Sequence, residues 1–156
     1  MKYFFIIFTA VLLASCGEPI KLSEKEQEDI INDVTIMMKN YCKDVKQSGL
    51  TAEFRYLDNS SDFFWVPPGY KSSISYDSVA AILKRNASIY KSVDNSYQNL
   101  RIIPLSKELA SYTAKVNSVM TDTTGKTSAF TLIETGIVIK RKDGWKLLNG
   151  QTTVID

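Results

Sequence analysis

The sequence predicts an α+β domain whose N-terminal helices cover one face of a mostly antiparallel sheet. In the first half of the chain, apolar residues recur at three- and four-residue steps, which is typical of helices. In the second half, long segments alternate between apolar and polar residues, which is typical of strands. Helices followed by consecutive strands indicate this fold class, and 156 residues suit one domain.

The strongest local signal is the turn Lys142-Asp143-Gly144 between two β-branched-rich segments, residues 127–141 and 145–155. Asp-Gly between alternating segments predicts a β-hairpin whose two turn positions both have positive φ. Two more long strands are predicted at residues 97–105 and 110–121.

A short apolar strand is predicted at Phe63-Phe64-Trp65-Val66, where Pro67-Pro68-Gly69 ends it. The aromatic side chains of this strand either face a ligand or are simply buried, and burial is the commoner outcome for such a run.

Three helices are predicted upstream of the long strands. The first begins after Ser23, which forms a capping box with Glu26, and ends near Gly49. A short second helix is predicted over residues 50–57, and a third over residues 76–92. The apolar face of the first helix contains Ile30, Val34, Met37, Met38, Tyr41 and Val45.

Composition excludes several kinds of chemistry. The chain has no histidine, so it has no Ser-His or Cys-His pair, no histidine base and no histidine metal ligand. The net charge of +2 does not indicate a nucleic-acid partner. The one basic run, Lys140-Arg141-Lys142, lies at the hairpin turn without interleaved aromatic residues, which favours a solvated turn. The residues suggest no cofactor and no metal site.

The first 22 residues predict that the protein is located in the cell envelope. Met1-Lys2 precedes an apolar run of about 11 residues, which is too short to span a bilayer as a helix and has the size of a signal-peptide core. The alternatives are a buried helix or a transmembrane anchor. Leu13-Ala14-Ser15-Cys16 resembles the bacterial lipobox.

The lipobox resemblance implies a signal peptide over residues 1–15, a lipidated tether over residues 16–22 and a domain over residues 23–156. Cys16 would carry a diacylglycerol thioether and an acyl chain such as palmitate on its new amino group. Several chains are needed because one chain holds a protein only marginally at a membrane. By the proteobacterial sorting rule, Gly17 indicates the outer membrane. With Cys16 lipidated, Cys42 has no intrachain partner and is predicted to be a small buried residue.

The order of elements and the segment from Lys140 to Val154 resemble the SnoaL-like and ketosteroid-isomerase-like superfamily, whose domains share the cone-shaped fold of nuclear transport factor 2. Many members carry Asp-Gly-x-Trp-Lys-Ile-Val-His-x-His at this hairpin, and this chain has Asp143-Gly144-Trp145-Lys146-Leu147-Leu148-Asn149-Gly150-Gln151. The resemblance implies a curved, cone-like sheet and often a homodimer that forms through the sheet.

The departures from that pattern argue against proton-transfer chemistry. The two positions that often hold histidine contain Asn149 and Gln151, which cannot shuttle a proton near neutral pH. Val66 aligns with the aspartate base of steroid isomerases, and Asp62 belongs to the turn before the strand. Losing the carboxylate of a general base removes the proton-abstraction step.

A cone of this kind implies a pocket at its open end. The side chains predicted as candidates for its lining are Tyr56, Trp65, Tyr70, Tyr90, Tyr112, Glu134, Asn149 and Gln151. Glu134 lies in mid-strand, so its carboxylate either faces solvent or lies in the cavity with a raised pKa.

Three functions follow as hypotheses. The favoured one is a non-catalytic, lipid-anchored binding or accessory module of the cell envelope for a small apolar ligand or an envelope partner. The second is an isomerase or dehydratase that uses Glu134, Asp62 and a tyrosine. The third is a module that dimerises through the sheet and scaffolds other envelope proteins. An enclosed carboxylate beside a tyrosine would favour the second.

Overall fold

The computed structural model describes residues 21–156, so Cys16, the predicted signal peptide and most of the predicted tether lie outside the described residues. The elements are α1 (Glu24–Ser48), a 3₁₀ helix η1 (Leu50–Arg55), β1 (Phe64–Val66), α2 (Tyr76–Ala87), β2 (Tyr90–Pro104), β3 (Leu109–Asp122), β4 (Thr127–Arg141) and β5 (Gly144–Val154). Within this part of the chain, no helix is long and apolar enough to cross a bilayer.

The five strands form one sheet in the order β1-β5-β4-β3-β2. All neighbours are antiparallel except β1, which adds to β5 in parallel. Register shifts interrupt the β2–β3 pairing between Gln98 and Arg101 and the β4–β5 pairing at Leu148 of β5, which has no partner between Ile137 and Val138. Such irregularities bend a strand and increase its twist. The predicted α+β class is therefore confirmed.

Helix α1 covers the inner face of the sheet. Its capping box is present, because the Ser23 hydroxyl accepts a hydrogen bond from the Glu26 N–H and the Glu26 carboxylate accepts one from the Ser23 N–H. The six apolar residues predicted to face inward are all buried. They join a single core with residues of η1, α2 and the strands. Burial of this face supplies most of the helix stability, since isolated helices are marginal in water.

Two predicted helix ends were wrong. Helix α2 ends at Ala87, where the Ser88 hydroxyl donates to the Arg85 carbonyl at 2.7 Å, and β2 begins at Tyr90. Residues 90–96 are strand because they pair with the far end of β3, where Val93 lies opposite Met120. The predicted helix over residues 50–57 is the shorter 3₁₀ helix η1, because Leu57 leaves it to form a parallel bridge with Leu147.

The β4–β5 hairpin is confirmed, but its turn differs from the prediction. Arg141 pairs with Gly144 across the turn, and Gly144 has a φ of +117°. Asp143 is not among the residues with positive φ, so only one position of this turn is left-handed. The glycine is still required there, because a β-carbon is strained at that φ.

An ion pair between a buried aspartate and a partly exposed arginine attaches the segment after η1 to this hairpin. Asp58 is 4% exposed, and its two oxygens accept hydrogen bonds from Arg141 Nε at 2.8 Å and Nη2 at 2.9 Å. The guanidinium holds the pKa of Asp58 below its ordinary value. Arg141 is therefore a structural partner, whereas the sequence predicted a solvated position. Lys140 lies over the ring of Trp145, 5.6 Å from its centroid.

The outer face of the sheet, which faces away from α1 and α2, is partly apolar. Directly paired residues project to the same face, so Ile133 shares this face with Lys115 and Thr153. Phe64, Ile103, Val119 and Ile133 are exposed on it. The homodimer through the sheet stays a prediction.

Candidate binding pocket

A cavity of about 160 Å³ lies between the inner face of the sheet, η1 and α2. Most of its wall is aliphatic or aromatic, and its polar groups are few. The residues that line it are Tyr41, Glu53, Leu57, Phe63, Trp65, Pro67, Pro68, Val79, Ile82, Leu83, Glu134, Leu147 and Thr152. An enclosed apolar pocket with a few convergent polar groups is the usual form of a small-molecule site.

Glu134 projects into this cavity from the middle of β4. It pairs with Ala114 of β3 and Thr152 of β5, so all three side chains share the inner face. The hydroxyls of Tyr112 and Tyr97 donate to Glu134 Oε1 at 2.8 and 3.1 Å. The Thr152 hydroxyl donates to Oε2 at 3.5 Å. Three donors from three different strands therefore hold one carboxylate.

The donor direction at Thr152 is fixed by Trp65. The indole Nε1–H donates to Thr152 Oγ1 at 3.1 Å, and an indole N–H can only donate. The Thr152 hydroxyl proton is then available for Glu134. This sequence of hydrogen bonds aligns β1, β5 and β4 at the cavity.

Trp65 fits against the sheet because two glycines face each other there. Gly136 pairs with Gly150, and both belong to the inner face. A β-carbon on Gly150 would lie 2.7 Å from the Trp65 ring and 2.5 Å from the Thr135 carbonyl oxygen. A β-carbon on Gly136 would approach the ring of Tyr112 to 3.1 Å. The glycine pair therefore creates the space that the two aromatic rings occupy.

Glu53 is the second carboxylate of the cavity and comes from η1. Burial raises its pKa to about 8, against the opposing effect of a hydrogen bond with Tyr41, and the charge of Glu134 raises it further. Glu53 is therefore mostly protonated at neutral pH.

Burial also raises the pKa of Glu134, although the hydrogen bonds from Tyr112, Tyr97 and Thr152 act in the opposite direction. The pKa values of Tyr97 and Tyr112 lie well above their ordinary value, because burial and the charge of Glu134 disfavour a phenolate. The two tyrosines therefore remain hydrogen-bond donors over the whole physiological pH range. Both hydroxyls donate to Glu134, so its carboxylate is the acceptor of these two hydrogen bonds.

The structure brings together only some of the predicted pocket residues. Trp65 and Glu134 line the cavity. Tyr112 does not line it, but its hydroxyl donates a hydrogen bond to Glu134. The sequence did not decide whether the Glu134 side chain faces solvent or the cavity, and the structure places it in the cavity. Asn149 and Gln151 pair with Ile137 and Thr135, so their side chains lie on the outer face and do not line the cavity.

The remaining predicted tyrosines lie elsewhere. Tyr56 is buried but donates to Asp44 at 2.6 Å, away from the cavity. Tyr70 is 45% exposed, and Tyr90 packs at the edge of the core. Val66 pairs with Gln151, so its side chain lies on the outer face of the sheet, whereas Pro67 and Pro68 line the cavity.

Sequence reasoning missed Glu53, Tyr41, Tyr97 and Thr152. A usable signal existed for Glu53, because Leu50, Glu53, Phe54 and Leu57 follow the i, i+3, i+4, i+7 pattern of an apolar helical face. A carboxylate inside such a face is either buried or distorts the helix. No local pattern marks Tyr97 or Thr152, because each reaches Glu134 only through strand pairing.

Neither Asp62 nor Cys42 is suited to catalysis at this site. Asp62 is exposed in the turn before β1. Burial raises the pKa of the Cys42 thiol to about 12, so it is not a thiolate nucleophile at neutral pH. Within residues 21–156, no group of three or more Cys, Asp or Glu side chains is placed to hold a metal ion.

Solved structures identify the architecture. A protein proposed to be a scytalone dehydratase from Novosphingobium aromaticivorans superposes with a TM-score of 0.74 at 12% identity, over 86% of this chain and 89% of that one. A nuclear transport factor 2-like superfamily protein from Salmonella enterica serovar Typhimurium gives 0.69 at 10% identity, over 81% and 92%. The protein has the nuclear transport factor 2-like cone fold.

A hexachlorocyclohexane dehydrochlorinase of the LinA type also has the cone fold, with a TM-score of 0.67 at 12% identity, over 86% of this chain and 90% of that one. No protein-family model and no curated protein matches the sequence. At these identities the likeness concerns the fold alone, and the cone fold serves enzymes as well as other proteins.

Replacing Glu53 with glutamine tests the burial of this carboxyl group. The folded-state pKa of about 8 exceeds the ordinary 4.5, so between these values the folded chain binds more protons than the unfolded chain. The free energy of unfolding therefore falls as the pH rises through this window. At about 1.36 kcal/mol per pKa unit, Glu53→Gln should be more stable than wild type by on the order of 3 kcal/mol at pH 7.

At pH 4 the two proteins should have equal stability, because Glu53 is protonated in both states there. Urea unfolding between pH 4 and pH 8 measures the difference. Glu28→Gln, which removes an exposed carboxylate of α1, is the matched control and should follow wild type. Parallel pH profiles of wild type and Glu53→Gln would show that Glu53 is solvated.

Proposed function

We propose that the protein is a lipid-anchored cell-envelope protein whose cone-shaped domain binds a small, largely apolar molecule without transforming it. The observation that carries the proposal is the partly open cavity of about 160 Å³ with its apolar and aromatic wall. A cavity of about 150 Å³ lined by apolar side chains accepts benzene, so a ligand with one aromatic ring fits this size.

Binding without catalysis is favoured by the way the carboxylates are held. Glu134 already accepts hydrogen bonds from Tyr97, Tyr112 and Thr152, and these donors stabilise its charge rather than release it for proton abstraction. The chain contains no histidine to act as an acid or base. The position that aligns with the isomerase base is Val66, on the outer face of the sheet.

A cavity-filling variant tests the binding site. Ile82→Phe should weaken the binding of benzyl alcohol by about tenfold or more, because the added ring occupies the cavity that Ile82 lines. Titration calorimetry on the full-length protein in lipid nanodiscs, with empty nanodiscs as the blank, measures the affinity. Ile89→Phe places the same substitution at an exposed isoleucine and should bind like wild type. Equal affinity of wild type and Ile82→Phe would place the binding outside this cavity.

Acid–base catalysis is the second candidate, and two observations favour it. The Glu134 carboxylate lies in the cavity beside Tyr97 and Tyr112, as this hypothesis requires, and the pKa of Glu53 is raised. A carboxyl group with a pKa of about 8 beside an apolar cavity has the proton affinity of a general base that works near neutral pH. Tyr41, Tyr97 and Tyr112 would supply hydrogen-bond donors around it. The reaction class would be an isomerisation or elimination that starts with removal of a proton from carbon.

Deuterium exchange separates the two functions. Acetophenone in D₂O loses α-protons only if a base removes them, and NMR follows the loss of the methyl signal. The proposed binding function predicts the same exchange rate with the protein as with buffer and empty nanodiscs. An acceleration of about a hundredfold that Glu53→Gln abolishes and Glu28→Gln retains would establish the second candidate.

The envelope address is supported by the residues Leu13 to Cys16 and has a separate test. Cys16→Ala removes the predicted lipid attachment, so the protein should move from the membrane fraction to the soluble fraction after cell lysis. Cys42→Ala is the matched control and should stay with the membrane. A Cys16→Ala protein that remains membrane-bound would rule out lipidation as the anchor. The proposed location is the outer membrane.

A further inference from the structure

We propose that the cavity binds a small monocationic amine that carries an aromatic or other apolar group, with its ammonium group at the carboxylate of Glu134 and the carboxyl group of Glu53. This inference rests on the proposed function, because it names the ligand class of the same cavity.

The charge of the cavity wall favours a cationic ligand. The described residues that line the cavity include two carboxyl groups and no lysine or arginine. Neither Glu53 nor Glu134 belongs to an ion pair of the described residues. Carboxylates in protein interiors are normally paired with a cation, because an isolated buried charge is costly. A cationic ligand supplies the missing partner.

The Glu134 carboxylate can still accept further hydrogen bonds. Its Oε1 accepts from Tyr97 and Tyr112, whereas its Oε2 accepts only the long hydrogen bond of 3.5 Å from Thr152. A carboxylate offers about four lone-pair sites. An ammonium group has three N–H donors and no acceptor, so it matches an oxygen that still accepts. A hydroxyl can also donate here, but it leaves the charge of the carboxylate unpaired.

The aromatic part of the cavity wall also favours a cation. Tyr41, Phe63 and Trp65 line the same cavity as the two carboxyl groups. The faces of aromatic rings attract cations through their quadrupole, most strongly when water is excluded. Proteins use such rings to recognise organic ammonium ions. The aliphatic part of the wall, from Val79, Ile82 and Leu83, accommodates the apolar part of the ligand.

Two probes of the same shape test the inference: benzylamine and benzyl alcohol. Calorimetry on the full-length protein in nanodiscs should show that benzylamine binds about tenfold or more tightly than the alcohol, since a hydrogen bond to a charged group is stronger than a neutral one. Glu134→Gln should remove most of this preference and leave the affinity for benzyl alcohol nearly unchanged. Glu28→Gln, with the same loss of charge at an exposed position, should keep the preference.

Each other result has a definite meaning. Benzyl alcohol binding as tightly as benzylamine overturns the amine inference and leaves the proposed function intact. Failure of both probes to bind overturns the proposed function as well. A preference for benzylamine that persists in both Glu134→Gln and Glu53→Gln places the ammonium elsewhere and overturns the inference. If Glu134→Gln does not fold, as judged by its thermal unfolding, the benzylamine preference of Glu53→Gln alone decides whether the ammonium lies at these two side chains.

Discussion

The burial of the Glu134 carboxylate is the constraint on which the inner face of the sheet depends. A carboxylate in an apolar interior is tolerated only when donors surround it. Here the donors are Tyr97 of β2, Tyr112 of β3 and Thr152 of β5, so one side chain of β4 fixes the position of three other strands. A shift of one residue in any of these strands would turn its donor to the outer face and remove one of the three hydrogen bonds to the carboxylate.

The short strand β1 extends the same arrangement to the mouth of the cavity. Its parallel pairing with β5 places Trp65 over the glycine pair of β4 and β5, and the indole N–H reaches Thr152. The wall formed by Phe63, Trp65 and the two prolines thereby faces η1 and α2 across the cavity. The pair between Asp58 and Arg141 then holds the segment after η1 against the hairpin. The pairing of β1 with β5 and the hydrogen bonds at Thr152 and Glu134 thus determine both the shape and the polarity of the pocket.

The cone fold and the site carry different information about function. Similar folds at 10–12% identity include proteins named as dehydratase and dehydrochlorinase, and that likeness does not transfer an activity. The ionisable groups of the site are two glutamates and three tyrosines, all with raised pKa values. Such a set is suited to holding a charge in an apolar pocket, and proton transfer would depend on its two glutamates.

The sequence by itself determined the α+β class, the buried face of α1 and the β4–β5 hairpin, because these depend on local periodicity, capping and turn chemistry. It also predicted Glu134 as an ambiguous carboxylate, since a mid-strand glutamate is unusual but its face cannot be assigned from one strand. Only the tertiary structure decided which face each strand residue occupies. Strand register placed Glu134, Tyr97, Tyr112 and Thr152 on the inner face and Asn149 and Gln151 on the outer one, and a bulge of a single residue reverses that assignment. Contacts between residues far apart in the chain decide register, and for that reason the pocket was visible only in the folded protein.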